Sequence, residues 1–264
     1  IGGEGGVALD LAKAALSAGK HLVTANKALL ATHGAALAAL AEKNRSALRF
    51  EAAVAGGIPI VKAMRESFVG YRVRSVRGIL NGTCNYILTQ MEATGNEFAA
   101  ALAEAQRLGF AEADPELDIG GGDTAHKLAL LASLAFGTAP DLAQMSVTGI
   151  RHLTYDDIRF AHEFGYRIKL LGIARQMPHG IDQRVQPAMV KIGTPLADVD
   201  GAFNAVMADV GEAGPYFFEG RGAGAAPTAS AVVADIVDVA RGANGPCFGV
   251  PAAELSALTP ALPD

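Results

Sequence analysis

The apolar positions change their spacing several times along the chain, and each change predicts an element. In residues 7–18, VALDLAKAALSA, Leu9, Ala12 and Leu16 fall on one helical face, and Gly19 supplies a stop. HLVTANK (21–27) is a short apolar strand that ends in polar residues. ALLATHGAALAALAEKN then returns to helical spacing, with Leu30, Leu37 and Ala41 in register despite Gly34. ALRFEAAVAGG (47–57) predicts a second strand ending in a glycine loop. This β-α-β-α-β spacing is that of a parallel sheet with helices packed on it.

The pattern then changes. YRVRSVRGIL (71–80) alternates as a half-buried strand does. CNYILTQMEA, NEFAAALAEAQRL and DTAHKLALLASLAF predict three helices, and Thr154 with Asp157 forms a capping pattern before YDDIRFAHEFG. Strands are expected near 147–151 and 166–174. Residues 166–220 read as further short strands with one helix around 196–210, and TASAVVADIVDVA (228–240) is a last helix behind the loop GRGAGAAP. The fold class expected is α/β: a parallel α/β piece, an α+β piece with a mixed sheet covered on one face by helices, and a terminal helix free to return to the first piece.

Composition narrows the function classes. Of 264 residues, 50% are hydrophobic and 19% charged, which excludes a disordered chain. A net charge of -5 gives no basic footprint, so no nucleic-acid partner is expected. Apolar runs break well short of the roughly 18 residues of a membrane span, so no membrane partner is expected either. No signal-peptide pattern opens the chain, and Cys84 and Cys247 read as free thiols in a reducing compartment, hence a cytoplasmic location.

Chemistry concentrates in GFAEADPELDIGGGDTAHK (109–127), where Glu112, Asp114, Glu116, Asp118 and Asp123 surround a glycine triplet and Lys127 follows on a helix. Asp123 and Lys127 are at i and i+4, so their side chains meet. This is either a solvated helix cap or a lysine that moves a proton beside acids that grip an ammonium group. Lys27 in TANK closes a parallel strand, where α/β sheets bind ligands, or is a surface lysine opening a helix. FEAAVAGGIPI (50–60) is a close-packed strand-to-helix turn, or a loop whose carbonyls face a hard cation. In NGTCNYIL, Asn81-Gly82 reads as a turn with Thr83 as helix cap; Cys84 has no basic partner, and His126 reads as a helix surface residue. EGRGAGAAPTAS (219–230) could approach an anion at a helix start but lacks G-x-G-x-x-G spacing.

GKHLVTANKALL, EAAVAGGIPI, GILNGTCNYIL, GFAEADPELDIGGGDTAHKLALLA and GRGAGAAPTASAVVADI resemble, in order and spacing, the motifs of homoserine dehydrogenases, over nearly the whole chain. The resemblance implies NAD(P)-dependent interconversion of L-homoserine and L-aspartate 4-semialdehyde, in threonine, isoleucine and methionine biosynthesis. It implies the C-terminal part of a Rossmann-like nucleotide-binding domain (1–57), a catalytic and dimerisation domain (58–220), and a glycine loop with a returning helix (221–264). By the same resemblance Lys127 and Lys27 are catalytic. Glu112, Asp118, Asp123, Gly82 and Thr83 bind substrate, and Thr24, Lys27, Gly109 and Gly222 contact NADP or NAD. The backbone at Glu51, Val54, Gly56 and Ile58 would hold a structural sodium ion, in a homodimer or homotetramer.

Two departures qualify this. Phe110 stands where the family often carries tyrosine, and the family's opening strand–GxGxxG–helix is not in this chain, so the choice of NAD or NADP is not legible. The chain also stops soon after FGVPAAEL, with no ligand-sensing domain expected beyond it. The rival readings are a truncated, non-catalytic dimerisation fragment and another nicotinamide-dependent amino or hydroxy acid oxidoreductase.

Overall fold

A computed structural model describes residues 2–261. The chain opens with α1 (Val7–Ser17), β1 (Leu22–Val23), α2 (Lys27–Lys43) and β2 (Leu48–Arg49), and β1 pairs with β2 in parallel. A 3-10 turn, Glu51–Ala53, follows β2, and then α3 (Ile60–Lys62) runs into a π-helical turn. Next come β3 (Ser75–Ile79), α4 (Gly82–Thr94), α5 (Phe98–Arg107), α6 (Glu116–Ile119) and α7 (Gly122–Phe136). The remainder is β4 (Ser146–Val147), α8 (Tyr155–Glu163), β5 (Tyr166–Met177), β6 (Gly180–Lys191), β7 (Phe203–Asp209), β8 (Pro215–Arg221) and α9 (Ala225–Ala240). Among the described residues no helix is long and apolar enough to cross a membrane.

Six strands form one sheet in the order β4-β6-β5-β3-β7-β8. It is mixed, because β4 joins β6 in parallel while the other pairs are antiparallel. Alternation sends Val76, Leu170, Ala174, Val206 and Ala208 to one face, where they pack with Leu128, Leu131 and Ile87 of the covering helices. The opposite face carries Ile79, Leu171 and Ala205 under Leu196 and Val199, bordered by half-buried Ile173, Val190, Met207 and Phe217.

A glycine of β5, Gly172, lets α7 lie close on the sheet. Gly78 of β3 lies opposite Gly172 of β5. A Cβ on Gly172 would stand 3.3 Å from Thr124 Cγ2 and 3.4 Å from Leu128 Cδ1, both on α7. Helix α9 does return to the first piece, packing against β1 and the 3-10 turn. The Thr154 capping box is present in full, with Thr154 N donating to Asp157 Oδ2 at 2.8 Å.

Three local expectations are corrected. Residues 196–210 hold no helix: after turns, FNAVMAD becomes the strand β7, laddered to β3 on one side and β8 on the other. Its alanines, methionine and aspartate are compatible with a helix, but two flanking ladders outweigh weak intrinsic propensity. The strand expected over 47–57 shortens to Leu48–Arg49, and Glu51 sits in the 3-10 turn. The short strands expected over 166–220 include two of twelve residues, β5 and β6, while that near 147–151 reduces to Ser146–Val147 at the sheet edge.

Candidate active site

The sheet and the first βα unit meet at a buried carboxylate. Asp123 lies in the first turn of α7, which begins after Gly121 in the left-handed region, φ 90°. Lys127, one turn on, donates to Asp123 Oδ2 at 2.7 Å and to the carbonyl of Leu80 at 2.7 Å. Lys27, the first residue of α2, pairs with Asp123 Oδ1 at 3.0 Å. Asn81 Nδ2 reaches Asp123 Oδ2 at 2.9 Å and Asp118 Oδ1 at 2.7 Å. An ammonium group has three N–H donors, so Lys127 keeps one beyond its two partners among the described residues.

Burial pushes the Asp123 carboxyl up, but the charges of Lys127 and Lys27 and the hydrogen bonds from Lys127 and Asn81 outweigh it. They hold Asp123 well below the usual carboxylate range. Asp118 is raised instead: burial dominates over the Asn81 hydrogen bond, and the charge of Asp123 adds to burial. Two carboxylates joined by one amide are thus driven apart in acidity.

Other expected residues distribute unevenly. Thr83 is not the cap of α4; it lies inside the first turn and donates to the carbonyl of Phe110 at 2.7 Å. The cap is Asn81, whose Oδ1 accepts from Cys84 N at 2.8 Å, and Asn-x-x-Cys was the available signal for it. Gly82 packs so close to the Ala202 carbonyl that a Cβ would stand 2.7 Å from it. Glu112 is exposed, with its backbone carbonyl accepting from Gln106 Nε2. Gly109 is exposed with φ 79°. Phe110 stacks on Tyr86 at 4.4 Å between ring centroids. Cys84 is buried, its thiol pushed up by burial and the neighbouring acids, and it donates to the Asp118 carbonyl. His126 is half-buried rather than a plain surface residue.

Thr24 directly follows β1, and its Oγ1 accepts from Asn26 N at 3.1 Å. The loop after the 3-10 turn is held by Gly56 N to the Gly222 carbonyl at 3.0 Å and Gly57 N to the Arg221 carbonyl at 2.9 Å. Ala55 there has φ 47°, a strained value for a residue with a side chain. The carbonyls of Val54 and Gly56 accept no hydrogen bond among the described residues. The Glu51 carboxylate accepts from Val61 N and Lys62 N, and burial raises it to about 7.

Asp123 contributes to stability above the ordinary carboxylate pKa of 3.8, and that contribution fades as pH falls through its depressed native value. Asp123→Asn should therefore be clearly destabilised in urea at pH 7. Its gap to the native chain should narrow once the pH drops below about 4. A gap that stays constant from pH 7 to pH 3 would count against the ion-paired carboxylate.

Comparison with known proteins identifies the family and the fold. A family model described as homoserine dehydrogenase matches residues 59–237, and one described as its NAD binding domain matches residues 7–51. A homoserine dehydrogenase of Neisseria gonorrhoeae is 50% identical over 239 residues, covering 90% of this chain and 55% of that protein. The chain thus spans about half the length of the curated relatives it matches. The crystal structure of a homoserine dehydrogenase from Thiobacillus denitrificans superposes with a TM-score of 0.94 at 47% identity, covering 99% of this chain and 62% of that one. A hyperthermophilic archaeal homoserine dehydrogenase in complex with NADPH is similar at TM-score 0.79 and 28% identity, covering 89% of this chain and 68% of that one. The motifs, the mixed sheet and the two family models converge: this chain belongs to the homoserine dehydrogenase family.

Proposed function

We propose that the full-length protein interconverts L-homoserine and L-aspartate 4-semialdehyde with a nicotinamide dinucleotide, NADP or NAD, in the cytoplasm. The observation that carries this reading is the triad Lys27–Asp123–Lys127, built on α2 and α7 around one buried carboxylate. A bound dinucleotide would supply the acceptor or donor of hydride for the carbinol carbon. The chain's own task is then the hydroxyl proton. Lys127 supplies the donor that its Leu80 and Asp123 partners leave over, and Asp123 fixes the direction of that side chain. Lys27 adds positive charge where the alkoxide develops. Asp123 Oδ1 accepts from Lys27 and keeps a further acceptor site, so Asp123 holds the substrate ammonium together with Asp118 and with Glu112 on the neighbouring loop.

Residues 1–57 are read as part of the dinucleotide-binding domain, 58–220 as the catalytic and dimerisation domain, and 221–264 as the returning glycine loop and helix. Thr24, Lys27, Gly109 and Gly222 are the proposed dinucleotide contacts. The crowding of Gly222 supports this, since a side chain there would overlap Asn204.

In a full-length enzyme Lys127→Ala should lower kcat ~10²–10⁴-fold with dinucleotide affinity little changed, whereas Glu112→Ala should mainly raise the KM for homoserine. A kcat for Lys127→Ala within a few-fold of the native enzyme would reduce the acids to a helix cap.

The loop 51–58 suits a sodium ion held by the backbone of Glu51, Val54, Gly56 and Ile58. Free carbonyls at Val54 and Gly56 fit a monovalent cation, and the Glu51 carboxylate is already committed to α3. Replacing sodium and potassium with a bulky organic cation at constant ionic strength should depress activity. Equal rates in both salts would remove this claim.

The half-buried apolar residues Ile173, Val190, Met207 and Phe217, on the sheet face that Leu196 and Val199 cover only in part, support a homodimer through that face. Light scattering at micromolar concentration should give twice the protomer mass, and a monomer would refute it.

A further inference from the structure

Asn204 has no role in the site as described, yet its amide is placed unlike any other near it. It is 1% exposed, and among the described residues neither Nδ2 nor Oδ1 has a hydrogen-bond partner. The neighbouring buried amides are different. Asn85 Nδ2 donates to the carbonyls of Val199 and Gly201 at 3.0 and 2.9 Å, and Asn81 is engaged through both its nitrogen and its oxygen. A buried amide without partners costs free energy that an apolar side chain of the same size would not.

The surroundings of Asn204 are glycines. Gly220 lies opposite it on β8, and a Cβ on Gly222 would fall 2.0 Å from Nδ2 and 2.5 Å from Oδ1. A Cβ on Gly82 would stand 3.5 Å from Oδ1. Gly82 follows Asn81, which holds Asp118 and Asp123, while Arg221 and Gly222 accept hydrogen bonds from the 56–57 loop. The amide therefore sits where the turn at Gly82, the glycine-rich segment and the 56–57 loop come together, with the Gly222 backbone against it.

We propose that Asn204 is a positioning residue of the dinucleotide site, whose amide hydrogen-bonds to the backbone of the 221–224 segment when a bound nicotinamide dinucleotide turns the peptides of that segment towards it. The inference rests on the functional reading above, and it adds the residue that latches the segment. The missing side chain at Gly222 leaves the backbone, not a side chain, as the group against the amide. Binding energy from the dinucleotide is thereby coupled to satisfaction of a buried polar group.

The test is Asn204→Leu in the full-length protein, which keeps the volume and removes the polar atoms, with Asn204→Ala as a second variant should the leucine fail to fold. Titration with NADPH and with NADH, followed by nucleotide fluorescence, should show the tighter ligand's Kd raised on the order of tenfold, the scale of one hydrogen bond. The melting temperature without dinucleotide should stay level or rise, because an unpaired amide has been removed. The KM for dinucleotide should rise with kcat and the KM for homoserine nearly unchanged. A Kd equal to that of the native protein would overturn the proposal, as would equal loss of kcat and both KM values. Failure of the native protein to bind either dinucleotide would sink the functional reading and this inference together, so the two failures are distinguishable.

Discussion

Asp123 commits both carboxylate oxygens to partners from three places in the chain: Lys27 at the start of α2, Asn81 before α4, and Lys127 on its own helix. A buried carboxylate is tolerable only because these groups surround it. Removing one partner of a buried pair typically costs about 3–5 kcal/mol, since the remaining charge is left without compensation. The interaction therefore does more than place two lysines beside one carboxylate. It joins the parallel β1–β2 unit to the mixed sheet at one point, and it makes the position of Lys127 depend on both.

A second polar joint holds the far end of the chain. Asp235 of α9 accepts from Glu51 N at 2.8 Å, and Lys62 pairs with Asp238 at 2.5 Å. Arg49, 2% exposed, donates to the carbonyls of Ala243 and Gly245 just beyond α9. Burial lowers the Arg49 guanidinium, with Arg65 adding like charge, while it raises Asp235. Helix α9 is thus located by directional bonds as well as by packing, and Val233 and Ile236 remain on its exposed side. Hydrogen bonds specify rotation and height along a helix axis more strictly than apolar contact does.

Much of this was legible in the sequence because the signals were local. The i, i+4 spacing of Asp123 and Lys127 fixed their contact, and the Thr154–Asp157 pattern fixed the start of α8. The nearness of Lys27 to the same carboxylate came only through family resemblance, since nearly a hundred residues of chain intervene. In the sequence Asn81 reads only as a turn, because an amide serving two acids 37 and 42 residues away leaves no periodic trace. The segment of β7 reads as a helix for a related reason. FNAVMAD is laddered on both edges, and the long-range pairing that decides its state lies outside any local window.

The absent side chain at Gly172 acts as a spacer of zero length. Because α7 settles directly onto β5 there, the ammonium of Lys127 reaches a carbonyl, that of Leu80, next to the end of β3. A methyl group inserted at Gly172 would meet the side-chain ends of Leu80, Thr124 and Leu128 at 3.1, 3.3 and 3.4 Å, so the first crowding falls on side chains that flank the lysine and its anchor. The packing around Lys127 is accordingly written in part into the neighbouring strand β5, since in a close-packed interior one added carbon at Gly172 is felt by the side chains of α7 that face it.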